Sequence, residues 1–406
     1  MSRSGTGRST RRGTRRVGDR GLRLSVDVTA VPERPVGAGQ YTLQLVRTLA
    51  ARSDIDLVLL TRRSDHPRWH AAAPGAEVVA AAPDPRPLRL AWEQTRLPGL
   101  LARKSVSVHH GPHYTMPGRS PIPAVVTIHD LSFFESPQWH QRSKVLLFRR
   151  AIALAARRAA AVVCPSRVTA AELDRWCRVD AEVFIAHHGV DTGRFRTDEP
   201  HEGADRASLA LIDARLSDDR PFLLFVGTLE PRKDVPTLVR AFARIADRQP
   251  DALLVLAGGA GWGGSEIDQA IQASRVTSRI VRTGYVPDDA VPALLRSAAA
   301  AVYPALYEGF GLPALEALAC GAPLVTTAGT AMEEVAGGAA TLVAPGDAAG
   351  LAEALDAELS GRAGSGPADA GRRQRGLEIV ARHSWEMSAD RHVEAYRHAA
   401  RRPAPP

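Results

Sequence analysis

Two glutamates late in the chain, Glu308 and Glu316, stand eight positions apart in the stretch EGFGLPALE. Gly309 and Gly311 let the backbone approach a ligand without a Cβ in the way, and Pro313 favours the first turn of a helix. The unpaired N–H groups and the dipole at such a helix start attract an anion such as phosphate. Glu316 is then placed to accept hydrogen bonds from ribose hydroxyls, and Glu308 to face whatever lies beyond the phosphates. The alternative is a surface loop with two solvated acids.

Two adjacent cations, Arg232 and Lys233, follow another predicted strand end in the stretch VGTLEPRKDVPTL. The strand ends at Val226, and Gly227 comes directly after it. Two neighbouring positive charges neutralise a diphosphate and favour its departure as a leaving group. The alternative is a solvated basic turn.

A histidine, His129, closes a further predicted strand in the stretch TIHDLSFF. At a strand end it is able to hydrogen-bond a sugar hydroxyl and to shield positive charge that develops on the sugar. A lone histidine at such a position is more often structural, and Asp130 either orients it or starts a turn. Gly37 and Gly39, before the first predicted helix, lack the spacing of a dinucleotide-binding glycine motif.

The elements that carry these loops alternate between short apolar strands and helical patterns, which predicts doubly wound parallel sheets. In the first half the predicted strands are 22–28, 55–61, 106–109, 124–128 and 161–164. A polar connection follows over 194–220, and the alternation then restarts. In the second half the predicted strands are 222–226, 253–257, 280–283, 300–302, 323–326 and 340–343. Two such domains leave a cleft at the carboxyl ends of their strands, where ligands bind.

The bulk properties fit this organisation. A chain of 406 residues is long enough for two or three domains. No stretch approaches the roughly 18 apolar residues of a membrane span, and three scattered cysteines predict reduced thiols in the cytoplasm. Residues 1–20 hold seven arginines and one acid, so this basic tail carries +6 of the net charge of +8. Such a tail either solubilises the chain or touches RNA or anionic lipid without specificity.

The glutamate spacing and its Gly-Phe-Gly-Leu-Pro filling resemble the Glu-x7-Glu signature of the retaining GT-B glycosyltransferases of family 4, in particular the mannosyltransferases. The resemblance covers about residues 22–400 and implies two Rossmann-like domains facing a central cleft. Its further matches are 163–166, 188–191, 284–286 and 345–347. The resemblance implies catalytic roles for four residues: His129, Glu308, Arg232 and Lys233. The resemblance also implies that the donor is bound by Glu316, Gly309, Phe310, Gly311, Leu312, Gly227, Thr228, Gly37 and Gly39. Many relatives carry an arginine where this chain has Thr228, which leaves Arg232 as the candidate for the second cation.

Five segments follow from the resemblance and the alternation together. They are a disordered basic tail (1–20), an N-terminal acceptor-side domain (21–195), a linker (196–219), a C-terminal nucleotide-sugar donor domain (220–380) and a helix that crosses back to the N-terminal domain (381–402). A basic amphipathic segment, 140–160, either packs on the first sheet or contacts an anionic membrane.

The expected function is transfer of a hexose, with retention, from a nucleoside-diphosphate sugar to a hydroxyl of a glycan or lipid-linked acceptor. Resemblance to mannosyltransferases makes GDP-mannose the expected donor. No cofactor is expected, and no metal, because the spacing of His109, His110 and His113 fits no zinc pattern and no Asp-x-Asp pair lies at a strand end. The alternatives are a GT-B epimerase, which needs no acceptor, and a nucleic-acid-binding protein that uses the basic tail. The expected location is the cytoplasm, with peripheral contact at the inner membrane face.

Overall fold

The computed structural model describes residues 21–197, 202–216, 218, 220–261, 264–361 and 367–402. The predicted basic tail lies outside the described residues, as do 198–201, 217 and 219 of the predicted linker. The described residues form two parallel β-sheets whose strands alternate with helices along the chain. This confirms the predicted fold class of two Rossmann-like α/β domains.

The first sheet has the strand order β3-β2-β1-β4-β5-β6-β7, with every neighbouring pair parallel. Its strands are β1 (Leu22–Asp27), β2 (Ile55–Arg62), β3 (Glu77–Ala82), β4 (Val108–Gly111), β5 (Ala124–Thr127), β6 (Ala161–Cys164) and β7 (Glu182–Ile185). Its helices are α1 (Ala38–Ala50), α2 (His66–Ala72), α3 (Arg86–Thr95), α4 (Leu97–Arg103), α5 (Ser132–Glu135), α6 (Arg142–Arg158) and α7 (Arg167–Trp176). The central strands are buried on both faces, which explains their continuous apolar sequences.

The second sheet repeats this pattern with the order β10-β9-β8-β11-β12-β13. Its strands are β8 (Phe222–Val226), β9 (Leu253–Ala257), β10 (Ile280–Gly284), β11 (Ala300–Tyr303), β12 (Leu324–Thr327) and β13 (Thr341–Val343). The remaining helices are α8 (Glu202–Ile212), α9 (Val235–Ile245), α10 (Gly264–Ala273), α11 (Val291–Ser297), α12 (Leu312–Ala319), α13 (Ala331–Ala336), α14 (Ala348–Leu359), α15 (Pro367–Val380) and α16 (Trp385–Ala400). Strand order reverses between β8 and β11, which is where such sheets form their ligand crevice.

The connection between the sheets contains a helix that the sequence pattern did not predict. Helix α8 lies within the stretch expected to be a polar linker. Its Leu209 is buried in the core of the second domain, and so is Leu216 just beyond the helix. Asp205 on the same helix pairs with Arg296 of α11 at 2.6 Å. Two buried leucines and one ion pair therefore attach this segment to the second domain despite its polar composition.

The last helix, α16, packs on the first sheet although it follows the second. Trp385, Val393 and Tyr396 belong to the same hydrophobic cluster as Tyr41 of α1. Two buried hydrogen bonds complete the contact: Tyr41 Oη lies 2.7 Å from His392 Nε2, and Tyr396 Oη lies 2.8 Å from His110 Nδ1. The C-terminal segment is therefore part of the core of the first domain.

Candidate active site

The loop that joins β11 to α12, residues 304–311, carries the first glutamate of the EGFGLPALE stretch. Gly311 caps the helix with φ of 108°, and a Cβ there would lie 2.9 Å from Met332 Cγ, so both the backbone conformation and the available space favour glycine. Within the described residues, the backbone N–H groups of Phe310 and Gly311 have no hydrogen-bond acceptor. Two free amides at a helix start are suited to an anion or to sugar hydroxyls.

Glu308 forms a buried ion cluster with the two cations that follow β8. Its carboxylate accepts a 2.7 Å hydrogen bond from Arg232 Nη1 and a short one from Lys233 Nζ. Arg232 also donates through Nε to Glu230 at 2.9 Å. Burial acts to raise the pKa of Glu308, but the charges of Arg232 and Lys233 outweigh it and lower the pKa to about 2. The loops after β8 and β11 thus meet at the point where the strand order reverses.

Lys233 is nine-tenths buried, and this burial lowers its pKa against the opposing effect of Glu308. Its ammonium group and the guanidinium of Arg232 share one carboxylate as their common anion. The cluster therefore presents one buried and one partly buried cation, and such groups bind phosphate oxygens more strongly than fully solvated ones do.

Glu316, on α12, is half-buried, and its carboxylate has no hydrogen-bond partner among the described residues. Burial raises its pKa to about 7; Arg194 opposes this shift and Asp288 adds to it. Arg194 comes from the segment after β7 and donates to the backbone carbonyl of Asp288, just beyond β10. The sequence pattern did not point to either residue, because they come from separate connections and meet only in the fold.

His129 follows β5 and is buried, and its ring is nearly perpendicular to those of Tyr41 and Tyr114, with ring centroids 5.0 Å and 5.5 Å away. Its Nε2 donates a 2.7 Å hydrogen bond to the carbonyl oxygen of Pro112. Burial lowers the pKa of His129, so the ring is neutral at pH 7. With the proton on Nε2, Nδ1 is left as a hydrogen-bond acceptor.

Asp130, beside it, accepts hydrogen bonds from the backbone N–H of Ser132 at 3.0 Å and from Ser132 Oγ at 2.7 Å. These contacts place its carboxylate at the start of α5, as in an aspartate-initiated turn. Of the two alternatives that the sequence left open, this geometry matches the turn.

Two other predicted donor residues have side chains that belong to the core. The ring of Phe310 packs against His188 at 4.6 Å, and Leu312 contacts the hydrophobic clusters of both domains. The side chain of Phe310 is therefore buried in protein, whereas that of Leu312 is half-buried. Gly309 lies against His129, because a Cβ on Gly309 would stand 1.8 Å from the His129 carbonyl oxygen.

The remaining glycine loops lie at strand ends on each side of the cleft. Gly227 has φ of 149°, and its carbonyl oxygen would lie 2.0 Å from a Cβ on Gly258, so the turns after β8 and β9 pack tightly. Thr228, next to Gly227, is half-buried. Gly37 caps α1 with φ of 51°, and Gly39 lies in its first turn. Arg34 of the same loop stands 5.6 Å from the ring of Tyr285, so this loop faces the second domain.

Two family models divide the chain at the boundary between the sheets. Residues 35–194 match the model described as Glycosyltransferase Family 4, and residues 212–374 match the model described as Glycosyl transferases group 1. The chain therefore consists of a family 4-like domain and a group 1 domain of the GT-B glycosyltransferases. This assignment agrees with the resemblance carried by the glutamate pair.

Known glycosyltransferases resemble this one along nearly its whole length. The O-antigen chain mannosyltransferase B of Escherichia coli is 27% identical over 381 residues, which are 89% of this chain and 96% of that protein. The structure of sucrose-phosphate synthase from Thermosynechococcus elongatus superposes with a TM-score of 0.73 at 22% identity, covering 93% of this chain and 98% of that one. An Anabaena protein solved with UDP and glucose gives 0.71 at 16% identity, covering 92% and 98%. The two structural matches, below 25% identity, support the GT-B fold.

The basic segment that the sequence left between two alternatives is helix α6. Ile152, Ala155 and Ala156 are buried against the first sheet, whereas Leu146 remains 54% exposed. Within the described residues, none of the glycosyltransferase's helices combines the length and hydrophobicity that a membrane crossing requires.

Proposed function

We propose that this GT-B glycosyltransferase transfers a hexose, with retention of configuration, from a nucleoside-diphosphate sugar to a hydroxyl acceptor, without a metal ion. The observation that carries the proposal is the buried cluster of Glu308, Arg232 and Lys233 beside the free amides of Phe310 and Gly311. The two cations suit the phosphates of such a donor, and the amides and the carboxylate suit its sugar. All of them lie where the strand order reverses, which is where such sheets bind ligands.

In the proposed complex the diphosphate oxygens pair with Arg232 and Lys233, and Glu316 accepts hydrogen bonds from the ribose. The sugar lies between Glu308 and His129. The acceptor hydroxyl attacks the anomeric carbon from the side on which the diphosphate leaves. The new C–O bond forms as the bond to phosphate breaks, and a phosphate oxygen takes the hydroxyl proton. The two cations stabilise the charge that develops on the departing diphosphate.

We propose GDP-mannose as the donor because the E. coli relative named above is a mannosyltransferase. The proposed acceptor is a glycan or a lipid-linked glycan. The exposed Leu146 on the arginine-bearing helix α6 supports peripheral contact with an anionic membrane at the cytoplasmic face.

Calorimetric titration of the protein with GDP, UDP, ADP and CMP, each with and without EDTA, tests the donor class. Tight binding of GDP that is indifferent to EDTA is the expected result. Binding of UDP instead would overturn the GDP-mannose assignment, and binding of none would overturn the transferase proposal. The anomeric configuration of a product made from GDP-mannose and a glycan acceptor, determined by NMR, tests retention: an inverted product contradicts it.

A further inference from the structure

Two hydroxyl groups of the first domain bind one backbone oxygen in the 304–311 loop of the second. Ser166 Oγ donates to the Gly309 carbonyl oxygen at 2.8 Å, and Thr169 Oγ1 donates to the same oxygen at 3.0 Å. Both hydroxyl-bearing residues are fully buried at the start of α7. A carbonyl oxygen has two lone pairs, so these two donors satisfy it completely.

The orientation of that oxygen determines the direction of the next amide. The peptide unit from Gly309 to Phe310 is planar and trans, so its carbonyl and the N–H of Phe310 point in opposite directions. The carbonyl is directed at α7, and the Phe310 N–H is therefore directed away from it. Within the described part of the chain this N–H has no acceptor.

We propose that Ser166 and Thr169 are positioning residues, which aim the Phe310 N–H at the sugar of the bound donor. This inference rests on the proposed function. The two hydroxyls touch neither the substrate nor the phosphates; they act through one peptide unit. An amide that is held in place before the sugar binds can donate to a sugar hydroxyl oxygen without reorganising, and so fixes the position of the sugar for the reaction.

The contacts around this peptide unit connect α7 to the second domain at two further points. Glu334 of α13 accepts hydrogen bonds from the backbone N–H groups of Arg167 at 3.0 Å and Val168 at 3.1 Å. Tyr307 donates its hydroxyl proton to Glu172, one turn further along α7. The helix that carries the two hydroxyls is thus held against the loop that it orients, and the Phe310 amide is aimed only while the two domains are in contact.

The first test is Thr169→Val, which removes one hydroxyl but keeps the shape of the side chain. Thr61→Val is the matched control, because Thr61 is also fully buried in the first domain and its hydroxyl has no partner among the described residues. We expect Thr169→Val to lower kcat/KM for the sugar nucleotide by about threefold to tenfold, the typical effect of one hydrogen bond. Affinity for the nucleoside diphosphate alone should stay unchanged, since that ligand lacks the transferred hexose. Thr169→Ser, which restores the hydroxyl, should recover the activity.

The double variant Ser166→Ala/Thr169→Val should lose more than the single one. Ser166 also caps α7 through the backbone N–H of Thr169 at 3.0 Å, so its replacement destabilises the helix as well. Asp347→Ala removes a comparable cap from α14, outside the cleft. This variant measures how much activity is lost when a helix cap alone is removed. If the double variant does not fold, Thr169→Val decides the question.

The outcomes separate the two proposals. If the wild-type protein binds no nucleoside diphosphate and transfers no sugar, the proposed function is wrong. If it does both, and Thr169→Val matches Thr61→Val in kcat/KM, the positioning role is overturned. An equal loss of affinity for nucleoside diphosphate and for sugar nucleotide in Thr169→Val would also overturn it, because that pattern indicates general disturbance of the site.

Discussion

Gly309 of the second domain lies directly against the backbone of His129 in the first. A Cβ on Gly309 would stand 1.8 Å from the His129 carbonyl oxygen and 3.0 Å from Asp130 Cβ. No side chain fits that gap, so only glycine lets the two strand-end loops meet. The loops that carry His129 and Glu308 are therefore in direct backbone contact because position 309 has no Cβ.

Gly309→Ala should force these loops apart. We expect kcat for sugar transfer to fall by at least about tenfold, because displacements near 1 Å at a reacting centre have effects of that order or larger. Binding of the nucleoside diphosphate should change less than kcat, since Arg232, Lys233 and Glu316 all belong to the second domain and are not carried by the loop of His129. Gly259→Ala is the control, because a Cβ there meets no atom within 4 Å. Full activity in Gly309→Ala would show that this contact is unnecessary for turnover.

Glu308→Gln should destabilise the protein by leaving the buried Lys233 and the partly buried Arg232 without their shared anion. The free energy of unfolding, measured in urea, is expected to fall by about 3–5 kcal/mol, as when a buried ion pair loses one partner. Glu230→Gln should cost less, because it removes a partner of Arg232 and leaves the Lys233–Glu308 pair intact. Saturating nucleoside diphosphate should recover more stability in Glu308→Gln than in the wild type, as its phosphates replace the lost charge.

Because the pKa of Glu308 is lowered, the effect of Glu308→Gln on stability should depend on pH. The folded value of about 2 lies below the ordinary 4.5, so this carboxylate stabilises the fold above pH 4.5 and loses that contribution as the pH falls toward 2. The stability difference between wild type and Glu308→Gln should therefore shrink over that range. A difference that is independent of pH would contradict the role of the ionised carboxylate.

Glu316 should make nucleotide binding pH-dependent in the neutral range. Its folded pKa of about 7 lies above the ordinary 4.5, so its contribution to folding is complete below pH 4.5 and is lost as the pH rises through 7. The ionised form accepts ribose hydroxyls best, so affinity should rise through the same interval. Titrations of wild type and Glu316→Gln between about pH 6 and pH 8 test this, since the diphosphate titrates equally in both. Parallel curves would exclude a ribose contact.

His129→Ala should reduce turnover more than it reduces nucleotide affinity. The neutral ring lies in the first domain, whereas the proposed phosphate and ribose contacts lie in the second. We expect kcat to fall by at least about tenfold, with the affinity for nucleoside diphosphate within about twofold of wild type. Turnover equal to that of the wild type would remove His129 from the site.

The sequence was sufficient to predict the sheets because their central strands are short, apolar and buried on both faces. Strands β3 and β7 were not predicted, since both lie at sheet edges and are only partly buried. Helix α8 was missed because its polar composition resembles a linker, and its few buried leucines make a weak pattern.

The candidate site was predictable only in part. Local spacing indicated Glu308 and the Arg232–Lys233 pair, but their ion cluster joins residues 75 positions apart through the order of the strands. Arg194, Asp288 and Thr169 have no local signature, because each meets its partner only through a contact between distant segments. Ser166 lies in the matched stretch 163–166, but that match did not indicate its contact with Gly309. The catalytic and donor-binding roles of all these residues, Glu308, Arg232 and Lys233 included, stay predictions.

Helix α16 also has a consequence for how the protein is made. The apolar face of the first domain around Tyr41 is covered by Trp385, Val393 and Tyr396, which are translated after the entire second domain. Domains usually fold in the order in which they leave the ribosome. In this chain the apolar surface of the first domain stays uncovered until the second domain and helix α16 have been translated. Chaperone binding is expected in that interval, and a nascent chain that stops before residue 385 is expected to aggregate.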